Sequence, residues 1–340
     1  MNNQLERAKR GFVFGKFYPL HQGHEALIRY GAERCEELIV VVCVSNRELL
    51  SVAARVKWVQ ESCRHLPQVI VRGFEYREEE LPNSSVSDRA ISKVWAEKFL
   101  QILPPLQVVF TGEEYGDFVA EYMGIRHERL YSPGRISASM IRTDPQSYWG
   151  HLSSAARESL LAKVAILGTE STGKSTLTEF LAQHYQTEYV REVGREVVPK
   201  SAACTWEDLT AIAEQHAELI RRQASLARRV LFLDTDCHIT QSYGELLFGR
   251  TLPLSQGVIT ANAAQLYLYL AADAPFVQDG TRLSLSERSK LDESHRAVLD
   301  RAGIRYHVLR GSWEEKYRAA VALIDQSISW MAVAGRAVAA

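Results

Sequence analysis

The sequence predicts an α/β chain of two parallel-sheet domains, and three observations carry that expectation. Short apolar runs recur with helix-length sequence between them, the strand–turn–helix order restarts midway, and both starts open on a glycine-rich turn.

The strand-like runs are "FVF" at 12, "LIVVVCV" at 38, "QVIV" at 68, "QVVF" at 107, "KVAIL" at 163, "VLFLD" at 230, "LYLYL" at 266 and "YHVL" at 306. Most are followed by a polar or glycine turn and then a helix-length segment, the alternation of βαβ units around a buried sheet. "FVFGKFYPLHQGH" and "AILGTESTGKST" each give a short strand, a glycine turn and a helix start, so both domains are Rossmann-like in plan. Between them "TDPQSYWGHLSSAARESL" is first turn-rich and then helical, which sets the boundary near residue 150, within ten residues either way, with domains at 1–150 and 151–340. The likeness of the halves is architectural, without a residue-level repeat.

A chain of 340 residues has room for two cores, and 46% hydrophobic with 24% charged residues places it among globular proteins. The net charge of −1 offers no basic footprint for nucleic acid, so phosphate groups must be held by local residues. Cys35, Cys43, Cys63, Cys204 and Cys237 are odd in number and lack CxxC spacing, which favours reduced thiols over disulfides or zinc. "MNNQLERAKR" has no apolar run behind its charges, and "VITANAAQLYLYLAA" is too short and interrupted to span a bilayer. A cytoplasmic chain without membrane insertion is expected.

The sharpest motif is "GTESTGKS" after the strand "KVAIL". It satisfies G-x-x-x-x-G-K-[ST], a match that chance gives a chain of this length roughly 1% of the time. Gly168, Thr169, Glu170, Ser171, Thr172 and Gly173 are expected to curl backbone N–H groups around phosphate oxygens at a helix start that includes Thr176. Lys174 reaches the β- and γ-phosphates of ATP in that arrangement, and the Ser175 hydroxyl ligates Mg²⁺. "VLFLDTD" ends a strand on Asp234, a second candidate for the Mg²⁺ shell, with Asp236 two residues on. Either aspartate alone fits helix capping as well. Arg282 and Arg288 stand in a polar segment from which arginines could close over a transferring phosphoryl group; as solvated side chains they need no explanation.

At the other opening, "GKFYPLHQGH" sets His21 and His24 three apart, on one face near a helix start. Two histidines without a third ligand are weak evidence for a metal. Gly15 and Gly23 permit close backbone approach and Pro19 stiffens the turn, so an anion at the helix start fits better.

This segment resembles the G-x-F-x-P-x-H-x-G-H signature of the nucleotidyltransferase superfamily, and "ISASMIR" at 136–142 resembles its second signature. With a P-loop unit behind it, the chain resembles the NadR family, which joins a nicotinamide-mononucleotide adenylyltransferase to a ribosylnicotinamide kinase. "R-x-x-W" (Arg55, Trp58), "W-x-E" (Trp95, Glu97), "E-x-YG" (Glu113, Tyr115, Gly116), "GRE" (Gly194, Arg195, Glu196), "DTD" and "DG-x-R" follow in family order. Met140 stands where many relatives carry a basic residue and Gly112 where a serine is usual. Some relatives carry an N-terminal helix-turn-helix domain; here the first strand is expected near residue 11, leaving no room for a DNA reader.

The resemblance implies NAD salvage: phosphorylation of nicotinamide riboside to nicotinamide mononucleotide, then adenylyl transfer from ATP to give NAD and pyrophosphate. It places His24 on the α-phosphoryl group, with His21 and Lys16 on the triphosphate and Gly15, Phe17 and Gly23 around the nucleotide. Ser137, Ser139 and Arg142 would grip the β- and γ-phosphates. Arg55, Trp58, Tyr115 and Trp95 are implied substrate residues, Trp95 as a face for the nicotinamide ring or, equally, a core tryptophan. In the kinase half Arg195 and Glu196 would hold ribose hydroxyls, and Asp234, Asp236 or Glu192 would orient the attacking hydroxyl. A homo-oligomer and a functional link to a nicotinamide riboside transporter are further expectations. Two other readings stay open: a nucleotidyltransferase for a different phosphate beside an unrelated kinase, and an active kinase whose N-terminal domain is a regulatory nucleotide sensor.

Overall fold

The computed structural model describes residues 7–83, 88–131, 134, 136–197, 204–273 and 285–328. They form two compact units, dividing between Leu160 and Leu161. That division lies within the ten residues expected around 150, and segment 151–160 stays with the first unit for a local reason. Ser153 N donates to the Leu20 carbonyl at 3.1 Å, His21 and Leu152 form an antiparallel bridge, and helix Ser154–Leu160 packs on helix Val52–Ser62.

The first unit is a five-stranded parallel sheet of β1 (Ala8–Gly15), β2 (Cys35–Ser45), β3 (Val69–Tyr76), β4 (Val108–Thr111) and β5 (Arg126–Arg129). Their order is β3-β2-β1-β4-β5, so chain direction across the sheet reverses between β1 and β4. The unbroken apolar run Leu38–Val44 makes β2 buried on both faces, as a central parallel strand must be. One face packs Phe12, Phe14, Ile39, Trp95, Phe99 and Val109 into a single cluster.

The second unit is also a five-stranded parallel sheet: β6 (Ala162–Leu167), β7 (Tyr189–Val190), β8 (Val230–Asp234), β9 (Leu266–Leu270) and β10 (His307–Leu309), ordered β10-β9-β6-β8-β7. Two of its helices start on reciprocal capping boxes, at Thr205/Asp208 and Ser312/Glu315. All eight apolar runs singled out in the sequence contribute to strands. The edge strands β5 and β7 have no such run, because one is polar along its length and the other has two residues.

Candidate functional site

In each unit a central strand ends in a glycine turn at the carboxyl end of the sheet, where open α/β folds bind ligands. The first turn leaves β1 at Gly15, beside the end of β4, where the strand order reverses. His21 sits one residue outside helix Gln22–Ala32, in extended conformation, and its Nδ1 accepts from Gly23 N at 3.0 Å. A nitrogen that accepts carries no proton, so neutral His21 holds its hydrogen on Nε2. The His24 ring stands 3.8 Å from the His21 ring, and Phe17, at φ 45°, packs on His24 at 4.9 Å. The two histidines are therefore neighbours through a cap and a first turn rather than as two residues of one helical face.

The second signature meets the first. Ser137 Oγ caps helix Ala138–Thr143 by accepting from Met140 N at 3.2 Å, and Met140 is 37% exposed. Arg142 Nη2 donates to Ser139 Oγ at 2.9 Å and Nη1 to the Tyr18 carbonyl at 2.6 Å. Gly15, Lys16, Phe17, His21, Gly23, His24, Ser137, Ser139 and Arg142 thus belong to one connected region of the unit.

The expected substrate residues are placed differently. Arg55 is fully buried and holds Glu48 Oε2 at 2.7 Å, the Lys16 carbonyl at 3.0 Å and the Leu50 carbonyl at 2.9 Å. Trp58 is buried, and Trp95 lies in the aromatic core against Tyr76 and Phe99 with Nε1 donating to the Pro82 carbonyl at 2.8 Å. Of its two readings, the structure places Trp95 as a core tryptophan. Tyr115 packs on Phe14 at 5.5 Å, and Gly116 is required because a Cβ there would overlap His127 Nε2 and Thr111 Oγ1.

In the second unit the turn Gly168–Gly173 joins β6 to helix Lys174–His184. Gly168 has φ 138° and lies so close to β9 that a Cβ would stand 2.7 Å from the Leu270 carbonyl. Ser171 and Gly173 also take positive φ, and the turn is cinched by Thr172 Oγ1 donating to the Thr169 carbonyl at 2.8 Å. Lys174 Nζ folds back to that same carbonyl at 3.1 Å, and Arg288 Nε donates to Thr169 Oγ1 at 3.1 Å. Ser175 and Thr176 follow in the first helical turn, and Tyr243 Oη donates to Glu170 Oε1 at 3.4 Å.

Asp234 ends β8 opposite Ile166 of β6 and is 2% exposed. Asp236 is buried and caps helix Cys237–Phe248: Oδ1 accepts from His238 N at 3.0 Å and Ile239 N at 3.1 Å, while Oδ2 meets His238 Nδ1 at 2.7 Å. The capping alternative holds for this residue. Glu192 follows β7; with Glu170 its charge adds to burial in holding the Tyr243 hydroxyl well above its ordinary pKa. Burial lowers the His216 pKa, against the smaller opposing effects of Asn262, Asp236 and Glu192. Arg282 lies outside the described residues, as do the side chains of Arg195 and Glu196 on helix Gly194–Val197. Among the described residues no cluster of three His, Cys, Asp or Glu side chains forms a metal cage.

A family model described as an AAA domain matches residues 163–316. The trifunctional NAD biosynthesis/regulator protein NadR of Escherichia coli (strain K12) is 32% identical over 296 residues, 80% of this chain and 71% of that protein. The chain belongs to the NadR family. A nicotinamide-nucleotide adenylyltransferase of Aeropyrum pernix is 29% identical over 141 residues, 39% of this chain and 77% of its own length. In fold, the chain matches a NadR protein solved in complex with NR (TM-score 0.61, 20% identity) and with NAD and AMP-PNP (TM-score 0.60, 21% identity). Each match covers 95% of this chain and 97% of the solved one.

Within this NadR-family chain, motif reading passed over Glu48, Tyr243, His216 and His295. Glu48 belongs to no signature, and only the turn after β2 brings it to Lys16. The other three lie on helices of the second unit and meet distant partners through packing, Tyr243 at Glu170, His216 at Asn262 Oδ1 (3.1 Å) and His295 at Ser242 Oγ (2.5 Å), relations without a local spacing to reveal them.

Proposed function

We propose that this chain makes NAD in two ATP-dependent steps. The second unit phosphorylates nicotinamide riboside to nicotinamide mononucleotide, and the first transfers an adenylyl group to that mononucleotide. The observation that carries this reading is the pair of phosphate loops, each formed at the carboxyl end of a central strand in its own unit.

In the first unit a phosphate oxygen of the mononucleotide attacks the α-phosphorus of ATP, the α–β bridging bond breaks and pyrophosphate leaves. Nothing in this step needs a covalent enzyme intermediate, so the chain positions and neutralises. His24 meets the α-phosphoryl group, and His21 presents its Nε2–H because its other nitrogen is occupied as the helix cap. Lys16, Ser137, Ser139 and Arg142 hold the leaving β- and γ-phosphates.

In the second unit the 5′-hydroxyl of the riboside attacks the γ-phosphorus and ADP leaves. The turn 168–173 supplies backbone N–H groups, and Lys174 leaves the Thr169 carbonyl for the phosphates. Arg288, already held against Thr169, is placed to approach them. Ser175 and Asp234 offer a hydroxyl and a carboxylate, the hard oxygen donors that Mg²⁺ takes. When bound there, Mg²⁺ neutralises charge on the β- and γ-phosphates. Asp236 holds the helix start through Oδ1 and the His238 ring through Oδ2, and Asp234, Asp236 and Glu192 all stand as candidates to orient the hydroxyl. Five free cysteines and no helix among the described residues apolar enough to cross a membrane suit a reducing, cytoplasmic setting.

Incubating the protein with nicotinamide riboside, ATP and Mg²⁺ and identifying products by mass tests the reading. Mononucleotide should appear first and NAD after it. Mononucleotide that accumulates without NAD, even with concentrated enzyme, would leave the first unit as a nucleotide sensor.

A further inference from the structure

The strongest unassigned feature is a closed ring of charge around one residue of the first loop. Glu48 is half-buried with one oxygen on each of two cations: Oε1 on Lys16 Nζ at 2.7 Å and Oε2 on Arg55 Nη1 at 2.7 Å. The same Arg55 nitrogen donates to the Lys16 backbone carbonyl at 3.0 Å. Lys16 is thereby fixed at both ends, its ammonium by Glu48 and its carbonyl by Arg55. Arg55 is itself pinned by the Leu50 carbonyl at 2.9 Å and lies over the Tyr18 ring at 4.1 Å.

We propose that Glu48 is a positioning residue for nucleotide binding in the first unit, acting through Lys16 and backed by Arg55. The inference rests on the adenylyl-transfer reading of that unit. Three arguments carry it. An ammonium has three N–H donors, and Glu48 Oε1 takes one, leaving two for phosphate oxygens. Two cations against one carboxylate leave a surplus positive charge, which an anionic ligand can meet. A free lysine chain loses side-chain entropy when a ligand immobilises it, and one already held by Glu48 loses less. Glu48 stays ionised in this setting, because Lys16 and Arg55 bring its pKa below the ordinary value although burial alone would raise it. The arginine of "R-x-x-W", fully buried, then serves the nucleotide from behind.

The test is a double-mutant cycle of Glu48→Ala and Lys16→Ala, read as KM for ATP and for nicotinamide mononucleotide in NAD formation. Kinase activity of the same chain serves as the folding control. Glu48→Ala should raise KM for ATP about tenfold or more, the usual scale for a hydrogen bond to a charged group, with KM for the mononucleotide unmoved. Lys16→Ala should then cost far less in the Glu48→Ala background than alone. Losses that multiply, or equal rises in both KM values, overturn the proposal. Glu48→Gln keeps the volume if Glu48→Ala does not fold, and should fall between wild type and Ala. A second arm separates this proposal from the activity: affinity for α,β-methylene ATP in a Lys174→Ala background, by calorimetry. There the same coupling is expected even if no NAD forms, and its absence counts against Glu48 whatever the turnover.

Discussion

Arg142 donates to the Tyr18 carbonyl at 2.6 Å, so the second nucleotide signature is tied to the loop that carries the first. The same guanidinium holds Ser139 Oγ at 2.9 Å, using two of its donors in a fixed fork. An ammonium keeps the charge but not that planar fork. Arg142→Lys should therefore lower adenylyl transfer about tenfold, the usual scale of one charge-assisted hydrogen bond. Kinase activity should be unchanged. NAD formation from supplied mononucleotide, beside mononucleotide formation from the riboside, checks both halves.

Lys174 is held in the P-loop by the Thr169 carbonyl at 3.1 Å, within the second unit. Lys174→Ala removes the cation proposed to meet the transferring phosphoryl group. Kinase rate should fall by about a hundredfold or more, with adenylyl transfer from supplied mononucleotide nearly intact. Equal loss of both activities in a folded protein would break the two-site account.

In the proposed function His21 has two separable duties. Its Nδ1 caps a helix, and its Nε2–H is assigned to the triphosphate. Asparagine is a good cap acceptor, and its shorter side chain puts no N–H donor at the position of His21 Nε2. His21→Asn should keep the thermal midpoint of the first unit and still lose adenylyl transfer, whereas His21→Ala should lose both, with a cap cost of about 1 kcal/mol. A His21→Asn protein with full activity would reduce this histidine to a cap.

The Asp236–His238 pair gives a pH signature. Burial alone would lower the His238 pKa, but the Asp236 hydrogen bond and charge raise it above the ordinary 6.5. A histidine raised on folding binds its proton more tightly when native, so its stabilisation is complete below pH 6.5 and fades as pH climbs through the raised value. His238→Gln should therefore cost more stability at about pH 6 than at about pH 9, measured as urea midpoints of both proteins at each pH. Burial lowers the pKa of His216 and His295, which act in the opposite sense. Both are present in wild type and variant, so they cancel from the difference. An equal cost at both pH values would refute the pair's role.

The geometry of the two glycine turns was legible in the chain because such turns are local. Gly168 needs its positive φ and its close approach to β9, and Lys174 and Ser175 need the helix start, all within the single motif 168–175. The histidine loop is local in the same way. What stayed hidden depends on packing between distant segments. An indole such as Trp95 suits a ring-stacking face or a core equally until Tyr76 and Phe99 are placed around it. Asp236 shares a motif with Asp234, and only the start of helix Cys237–Phe248 shows that its Oδ1 caps that helix while Oδ2 meets the His238 ring. Arg55 fitted a substrate role by pattern, while its burial follows from Glu48 and two backbone carbonyls.

Met140 offers the remaining test of the first unit. Its backbone N–H is held by Ser137 and its side chain is 37% exposed, one residue beyond Ser139 and two before Arg142. A lysine there would extend an ammonium from the short helix that presents Ser137, Ser139 and Arg142, the groups assigned to the leaving pyrophosphate. One partly exposed charge contact is worth on the order of 1–2 kcal/mol, or roughly a factor of five to thirty in rate. Met140→Lys is therefore expected to speed NAD formation by that factor and to shrink the pool of mononucleotide that builds up when the chain is fed riboside and ATP. Because the new charge is exposed, the gain should shrink as salt rises toward a Debye length of about 3 Å near 1 M. Time courses of both products at low and high ionic strength measure this directly. A Met140→Lys protein no faster than wild type at low salt would show that the triphosphate does not pass this helix, and would move the β- and γ-phosphates away from Ser137 and Ser139.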